Sequence, residues 1–351
     1  MKFLSRPLAR SFAGLLKITF GVWSRPTGQA NSLLRVTNEN VMATLQVGFH
    51  IDGDVWEPEQ IAQVEEYGFD ILTTGEHIVF FRPILDTITV LAYAAAVTKK
   101  IKLIPSTLIL PLRHPTMIAK ELTSLDILSK GRLIASVGIG GDYPREFHAC
   151  GVPLKERGRR ANEGIEIMRK FWSGERFDYD GQIFQLEGMD MLPGPYQTGG
   201  PPLWVCGRSD PAMKRAAKYG DGWQPYMYTA GQLYESIHKV RGFAEDIGRE
   251  LADDFAFTTF MYVSMHDDVR EGRNRAIQQL SYRFNMPFEK IVDKYCAYGP
   301  TERIIEDLFT YVDAGTNNLI VALIMPEEER MDYLAKFSTD ILPELQKMKI
   351  Q

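Results

Sequence analysis

Cysteine is scarce in this chain: Cys150, Cys206 and Cys296 are the only three in 351 residues, far apart and with no C-x-x-C spacing. An odd, scattered set gives no disulfide framework and suits a reducing compartment. His148-Ala149-Cys150 is close, but a lone H-x-C is not a zinc-site spacing. Histidine is also scarce, six in all, and no H-x-H pair supplies the clustered ligands of a metal-dependent hydrolase. No apolar run approaches the ~20 residues of a membrane-spanning helix. Positive charge is not in excess either: 40 Lys and Arg against 45 Asp and Glu leave a formal net charge of −5. That balance argues against a general nucleic-acid or anionic-membrane binder, both of which need a basic surface. A cytoplasmic protein with no metal, membrane or nucleic-acid partner is the expectation.

What remains is ordinary globular material, 45% hydrophobic and 24% charged. The first 41 residues stand apart. Lys2, Arg6, Arg10, Lys17, Arg25 and Arg35 all precede the first acid, Glu39. Basic, serine-containing and acid-poor is the composition of an organellar transit peptide. A disordered leader, or a true start at Met42, is the plainer reading. Either way residues 1–41 are set aside from a single domain over 42–351.

From Leu45 the chain alternates strand-like apolar runs with amphipathic helices. Strands are expected at 45–50, 69–73, 102–110, 133–139, 203–206, 222–224, 255–263 and 318–324. The intervening helices include Thr87–Val97, one opening at His114-Pro115-Thr116 in which Ile118, Leu122, Leu125 and Leu128 recur at helical spacing, and one over Glu156–Trp172. A Gly- and Pro-rich stretch around 174–202 interrupts the rhythm, and its Phe177–Phe184 segment with an Asp-Gly turn reads as a hairpin insertion. Continuous apolar strands are what parallel strands covered on both faces look like. An open nucleotide-binding sheet would place a Gly-rich turn after its first strand, and His50-Ile51-Asp52-Gly53-Asp54 has no G-x-G-x-x-G. The fold class expected is therefore α/β, a (β/α)8 TIM barrel with an insertion around 174–202.

In such a barrel the chemistry sits where the strands end. Those ends carry His50, then Glu76 and His77, then Ser106 and Thr107 with Arg113 beyond. Next come Gly138, Gly140, Gly141 and Tyr143, then Gly207, Arg208 and Ser209, and finally Trp223. His77 has the chemistry of a general acid/base or of a donor to a ring, and Glu76 beside it could hold its tautomer. Gly207-Arg208-Ser209 at a helix start suits a phosphate, as does any ordinary Ser-capped turn. The glycines of 138–141 permit close approach of a flat ligand, and equally mark a turn. His50 and Arg113 are pocket candidates, and Ser106 and Thr107 either pack or reach a ring carbonyl. No lysine lies at a strand's C-terminal end, which disfavours a Schiff-base aldolase.

Several ordered segments resemble the bacterial luciferase-like superfamily of flavin-type oxidoreductases. They are Tyr67-Gly68-Phe69-Asp70 leading to Glu76-His77, Leu108–Pro115, Leu125–Arg132 followed by Val137–Gly140, Arg157-Gly158-Arg159-Arg160, and Gly220-Asp221-Gly222-Trp223. The Leu-Pro-Leu-Arg-His-Pro run is similar to the subgroup that uses the deazaflavin coenzyme F-420. The resemblance implies a TIM-barrel flavoprotein oxidoreductase or monooxygenase using F-420 or FMN on a small organic substrate. Hydride transfer would go with the first cofactor and oxygen insertion with the second. It further implies that His77 faces the ring and that Thr107 sits beside it at a non-proline cis peptide. Gly138–Gly141 and Gly207–Ser209 would take the ribityl and phosphate portions, with Tyr143 in the pocket wall. Relatives are often dimers, which makes a homodimer compatible. A non-catalytic flavin-binding or partner subunit on the same barrel is the competing reading.

Overall fold

The computed structural model describes residues 44–51, 56–348 and 350. The leader at 1–41, the start at Met42 and the turn at 52–54 lie outside the described residues. Twelve strands occur among those described: β1 (Gln46–Ile51), β2 (Ile71–Thr74), β3 (Lys102–Pro105), β4 (Leu108–Ile109), β5 (Ala135–Gly138), β6 (Phe177–Asp180), β7 (Gln185–Met189), β8 (Leu203–Cys206), β9 (Gly222–Gln224), β10 (Ala256–Met265), β11 (Cys296–Gly299) and β12 (Asn318–Leu323).

Nine of them run in the order β3-β2-β1-β12-β10-β9-β8-β5-β4, every neighbouring pair parallel. The two ends of that path meet. Leu103 N donates to Arg132 O at 2.9 Å and Ile134 N to Leu103 O at 3.1 Å, so β3 touches the chain entering β5. The result is a nearly closed barrel of nine strands wrapped in helices, the TIM-barrel architecture expected from the alternation. Its strands are largely buried because both faces are covered: all four residues of β2 and all six of β12 are buried. Burying a side chain such as Phe49 contributes about 1.5–3 kcal/mol.

Two local expectations need correction, and two elements were not anticipated. The run at 102–110 is not one strand. It breaks at a cis Ser106-Thr107 peptide into β3, which pairs with β2, and β4, which pairs with β5. Of the four residues at helical spacing in the helix Pro115–Ser129, Ile118, Leu122 and Leu125 are buried but Leu128 is 67% exposed. The apolar stripe of that helix is narrower than a simple count of leucines suggests. Finally, the helix Pro144–Ala149 and the strand β11 carried no usable pattern, because six and four residues are too short to show a period. The hairpin is present as β6 and β7, antiparallel. Glu163 on the helix Arg157–Ser173 ties it down, accepting from the backbone N–H groups of Gln182, Ile183 and Phe184 at 3.0–3.1 Å.

Candidate active site

A cavity of about 420 Å³ opens at the C-terminal ends of the barrel strands. Of the residues singled out in the sequence, His50, Glu76, His77, Ser106, Thr107, Gly140, Gly141 and Tyr143 line it. The other walls come from Glu146, Cys206 and Gln224, from Phe80 and Phe81, and from Tyr226, Phe260, Tyr262, Arg283, Phe284 and Asn285.

His77 is held, but not by its sequence neighbour. Its Nδ1 lies 3.1 Å from Glu146 Oε2, and Glu146 Oε1 accepts the Ile78 N–H at 2.6 Å. The Glu146 side chain is only 2% exposed while that of His77 is 30% exposed, so a buried carboxylate anchors a reachable imidazole. A carboxylate facing Nδ1 keeps the proton on that nitrogen and leaves Nε2 for the cavity. The ring plane is fixed as well: Phe80 stacks on it at 3.7 Å between centroids and 8° between planes. Tyr143 meets Phe80 edge-on at 5.3 Å.

Glu76 has another task. Its carboxylate accepts from the Ile109 N–H at 2.6 Å and from Arg113 Nε at 3.1 Å, with Arg113 Nη2 bonded to it too. Arg113 also reaches Asp86 at 3.0 Å and Glu121 at 3.4 Å. Burial pushes the Glu76 carboxyl above its ordinary value, against the pull of Arg113. On Arg113, burial works against the charge but is outweighed by Glu76 and Asp86, which hold the guanidinium above its usual range. The expectation that Glu76 orients His77 is thus replaced: Glu76 and Arg113 form a brace joining the end of β2 to β4 and the helix beyond.

The floor is polar. His50 on β1 puts Nδ1 2.8 Å from Thr73 Oγ1. Gln224, at the end of β9, donates from Nε2 to Ser106 Oγ at 2.8 Å, and its Oε1 accepts from Ser136 Oγ at 3.4 Å. Ser136 Oγ also lies 3.0 Å from Cys206 Sγ. Burial raises the Cys206 thiol, partly offset by the Ser136 and Thr107 hydroxyls beside it. The facing wall is aromatic, with Phe260 5.3 Å from Tyr262 and Tyr226 6.0 Å from Phe284 between ring centroids. Burial, with Tyr262 next to it, pushes the Tyr226 phenol well up.

Six candidates lie elsewhere. Gly138 is packed under Thr107, whose Cγ2 would be 2.9 Å from an added Cβ. Arg113 is engaged in the brace. Trp223 is fully buried in the core, its indole N–H donating to Gly207 O at 2.9 Å. The half-buried Gly207 and the exposed Arg208 and Ser209 form the turn before the helix Asp210–Tyr219 and do not line the cavity. Sequence reasoning missed Glu146, Gln224 and the β10 rings. The alternation of Phe260 with Tyr262 was the one signal on offer. Among the described residues no group of His, Cys, Asp or Glu is arranged to hold a metal ion.

Residues 57–318 match the family described as luciferase-like monooxygenase. F420-dependent glucose-6-phosphate dehydrogenases of Nocardia farcinica and Gordonia bronchialis are 24% and 23% identical, each aligned over 87% of this chain and 99% of its own length. An F420-dependent secondary alcohol dehydrogenase, solved with an F420-acetone adduct, superposes with a TM-score of 0.76 at 18% identity. That match covers 87% of this chain and 100% of the other. A monooxygenase from Streptomyces bottropensis superposes with a TM-score of 0.72 at 23% identity, over 85% of this chain and 99% of its own.

Proposed function

The chain belongs to the luciferase-like monooxygenase family and is an oxidoreductase; from that premise we propose that residues 42–351 bind a flavin-type ring in the cavity and act on a small organic substrate. The deazaflavin coenzyme F420 is the first choice, since relatives aligned over most of this chain are F420-dependent by name. FMN is the alternative.

The residues present fit such a ring. A volume of about 420 Å³ lies within the roughly 300–1,000 Å³ of small-molecule sites. The Phe260–Tyr262 wall suits a planar polycycle, and the Ser106–Gln224 floor offers hydrogen bonds to a polar edge. Gly140 and Gly141, at φ +56° and +115°, bring backbone against the cavity without a side chain. When bound, the ring would supply the hydride or electron pair that no amino-acid side chain provides. His77 holds or moves a proton at the substrate through Nε2, with Glu146 keeping the tautomer and Phe80 the ring plane. The aromatic wall excludes water from that exchange.

The observation that carries this reading is the buried Glu146 presenting His77 to the cavity. Titration with F420 and with FMN, each oxidised and reduced, tests it directly. One of the two should bind, and a panel of small alcohols, aldehydes and ketones, with glucose-6-phosphate included, should contain a substrate. The His77→Ala variant should retain cofactor binding and lose turnover by about a hundredfold or more. Binding of neither cofactor would remove the proposal.

A further inference from the structure

Three side chains from three neighbouring barrel strands, with Ser106 just past β3, form a hydrogen-bonded cluster with a definite direction. Ser136 is on β5, Cys206 ends β8 and Gln224 ends β9. The Gln224 carboxamide oxygen is taken by Ser136 Oγ at 3.4 Å and by Cys206 Sγ at 3.6 Å. Its nitrogen therefore faces Ser106, donating to Oγ at 2.8 Å. Gln224 is buried, and with its oxygen on this side the Ser136 hydroxyl and the Cys206 thiol both find an acceptor, whereas a flipped carboxamide would leave one of those two protons without one. A hydroxyl that accepts in this way still has its own proton to place. Among the described residues Ser106 Oγ donates to no protein acceptor, and Ser106 lines the cavity. The network runs towards the cavity and ends in an O–H donor.

We propose that Gln224 is a positioning residue that fixes the Ser106 hydroxyl as a donor to a carbonyl or ring-nitrogen acceptor on the edge of the bound cofactor. This rests on the cofactor reading above and deepens it. Reduction adds electron density to the acceptor atoms of a flavin-type ring. A fixed donor beside them stabilises the reduced form more than the oxidised one. Gln224 and Ser106 thereby set the balance between the two redox states, while the rest of the cavity sets overall affinity.

Two variants separate this role from simple packing. In Ser106→Ala the donor is gone. In Gln224→Glu the new carboxylate accepts from Ser106 and turns the proton away from the cavity. Dissociation constants for oxidised and reduced cofactor are measured by fluorescence and absorbance titration, with the bound absorbance maximum as a second readout and thermal melting as the check on folding. Each variant should weaken binding of the reduced form by about fivefold to tenfold and of the oxidised form by about twofold or less. The bound midpoint potential should fall correspondingly, by about 10–30 mV for a two-electron couple, and the absorbance maximum should move. Equal weakening of both forms, or none, in the folded variants would overturn the assignment and leave the cofactor reading intact. Wild-type protein that binds neither cofactor would remove both.

Discussion

Replacing Glu146 by glutamine keeps the side chain's shape and removes its capacity to accept two hydrogen bonds on two oxygens. In the folded protein Oε1 takes the Ile78 N–H and Oε2 faces His77 Nδ1. The Ile78 N–H is a backbone donor and cannot reverse its role; the imidazole can. Glutamine therefore turns its carbonyl oxygen to Ile78 and its NH2 to His77, where Nδ1 must become an acceptor. The ring proton moves to Nε2, and the group presented to the cavity changes from acceptor to donor. Two charge-assisted bonds become neutral, costing about 1 kcal/mol each. For a chain of this size that lowers the melting temperature by roughly 3 °C. A base presented in the wrong tautomer forfeits much of the ~10²–10⁴ that general acid–base catalysis contributes, so turnover should fall by about a hundredfold or more. Cofactor affinity should change by less than about threefold, because the floor of the site is untouched. Long-range nitrogen–proton correlation spectra of histidine-labelled protein distinguish Nδ1–H from Nε2–H, with His77→Ala assigning the signal. The same tautomer in wild type and variant would refute the reasoning whatever the turnover does.

The brace and the outer surface give two more tests. Glu76→Leu leaves the Ile109 N–H unpaired and Arg113 with only Asp86 and Glu121 for partners, which costs about 2–4 kcal/mol. Adding Arg113→Met should recover at least half of that in urea unfolding; a single-variant loss below about 1 kcal/mol would contradict the assigned brace. Asp293 titrates at about 2 instead of 3.8, held down by Arg273 with the Tyr298 hydroxyl assisting and burial opposing. Because the folded value is the lower one, this stabilisation is present above pH 3.8 and is lost as pH falls through about 2. Wild-type melting temperatures should drop more steeply across that window than those of Asp293→Asn. Parallel acid profiles would count against the pairing.

The barrel was legible because its strands are covered on both faces, and that requirement writes itself into the local sequence as uninterrupted apolar runs. Each of the eight anticipated strand positions is occupied, and the motif resemblance is matched by the family over residues 57–318. The site was legible only as a rim. Topology alone brings His50, His77, Ser106 and Thr107 to one cavity, since strand ends must cluster there. The partner of His77 was not legible. Adjacent residues on an extended segment point to opposite sides, so Glu76 beside His77 in sequence turns instead towards Arg113 and the Ile109 N–H. The carboxylate that does face His77 comes from a six-residue helix 69 positions later. The Gly207–Ser209 turn shows the converse: a good local pattern for an anion, placed by the fold beside the cavity and not in it.

These placements divide the site between strand ends and loops. The polar floor is carried by strand ends: Ser136 and Gln224 are buried, and their hydrogen bonds are fixed by the same parallel ladders that close the barrel. Ser106 follows suit, its N–H donating to Thr74 O at 2.7 Å so that the chain stays attached to β2 where the strand breaks. His77, Phe80 and Phe81 instead ride on the loop after β2, and the carboxylate of Glu146, from the segment after β5, holds His77 in place. A ring-binding surface benefits from rigidity, because its target shape does not vary. Loops carry the groups that meet the substrate and can change without disturbing the core. Substitutions on the floor should therefore alter cofactor affinity and redox balance, while those around His77 and Phe80 should alter turnover and substrate choice.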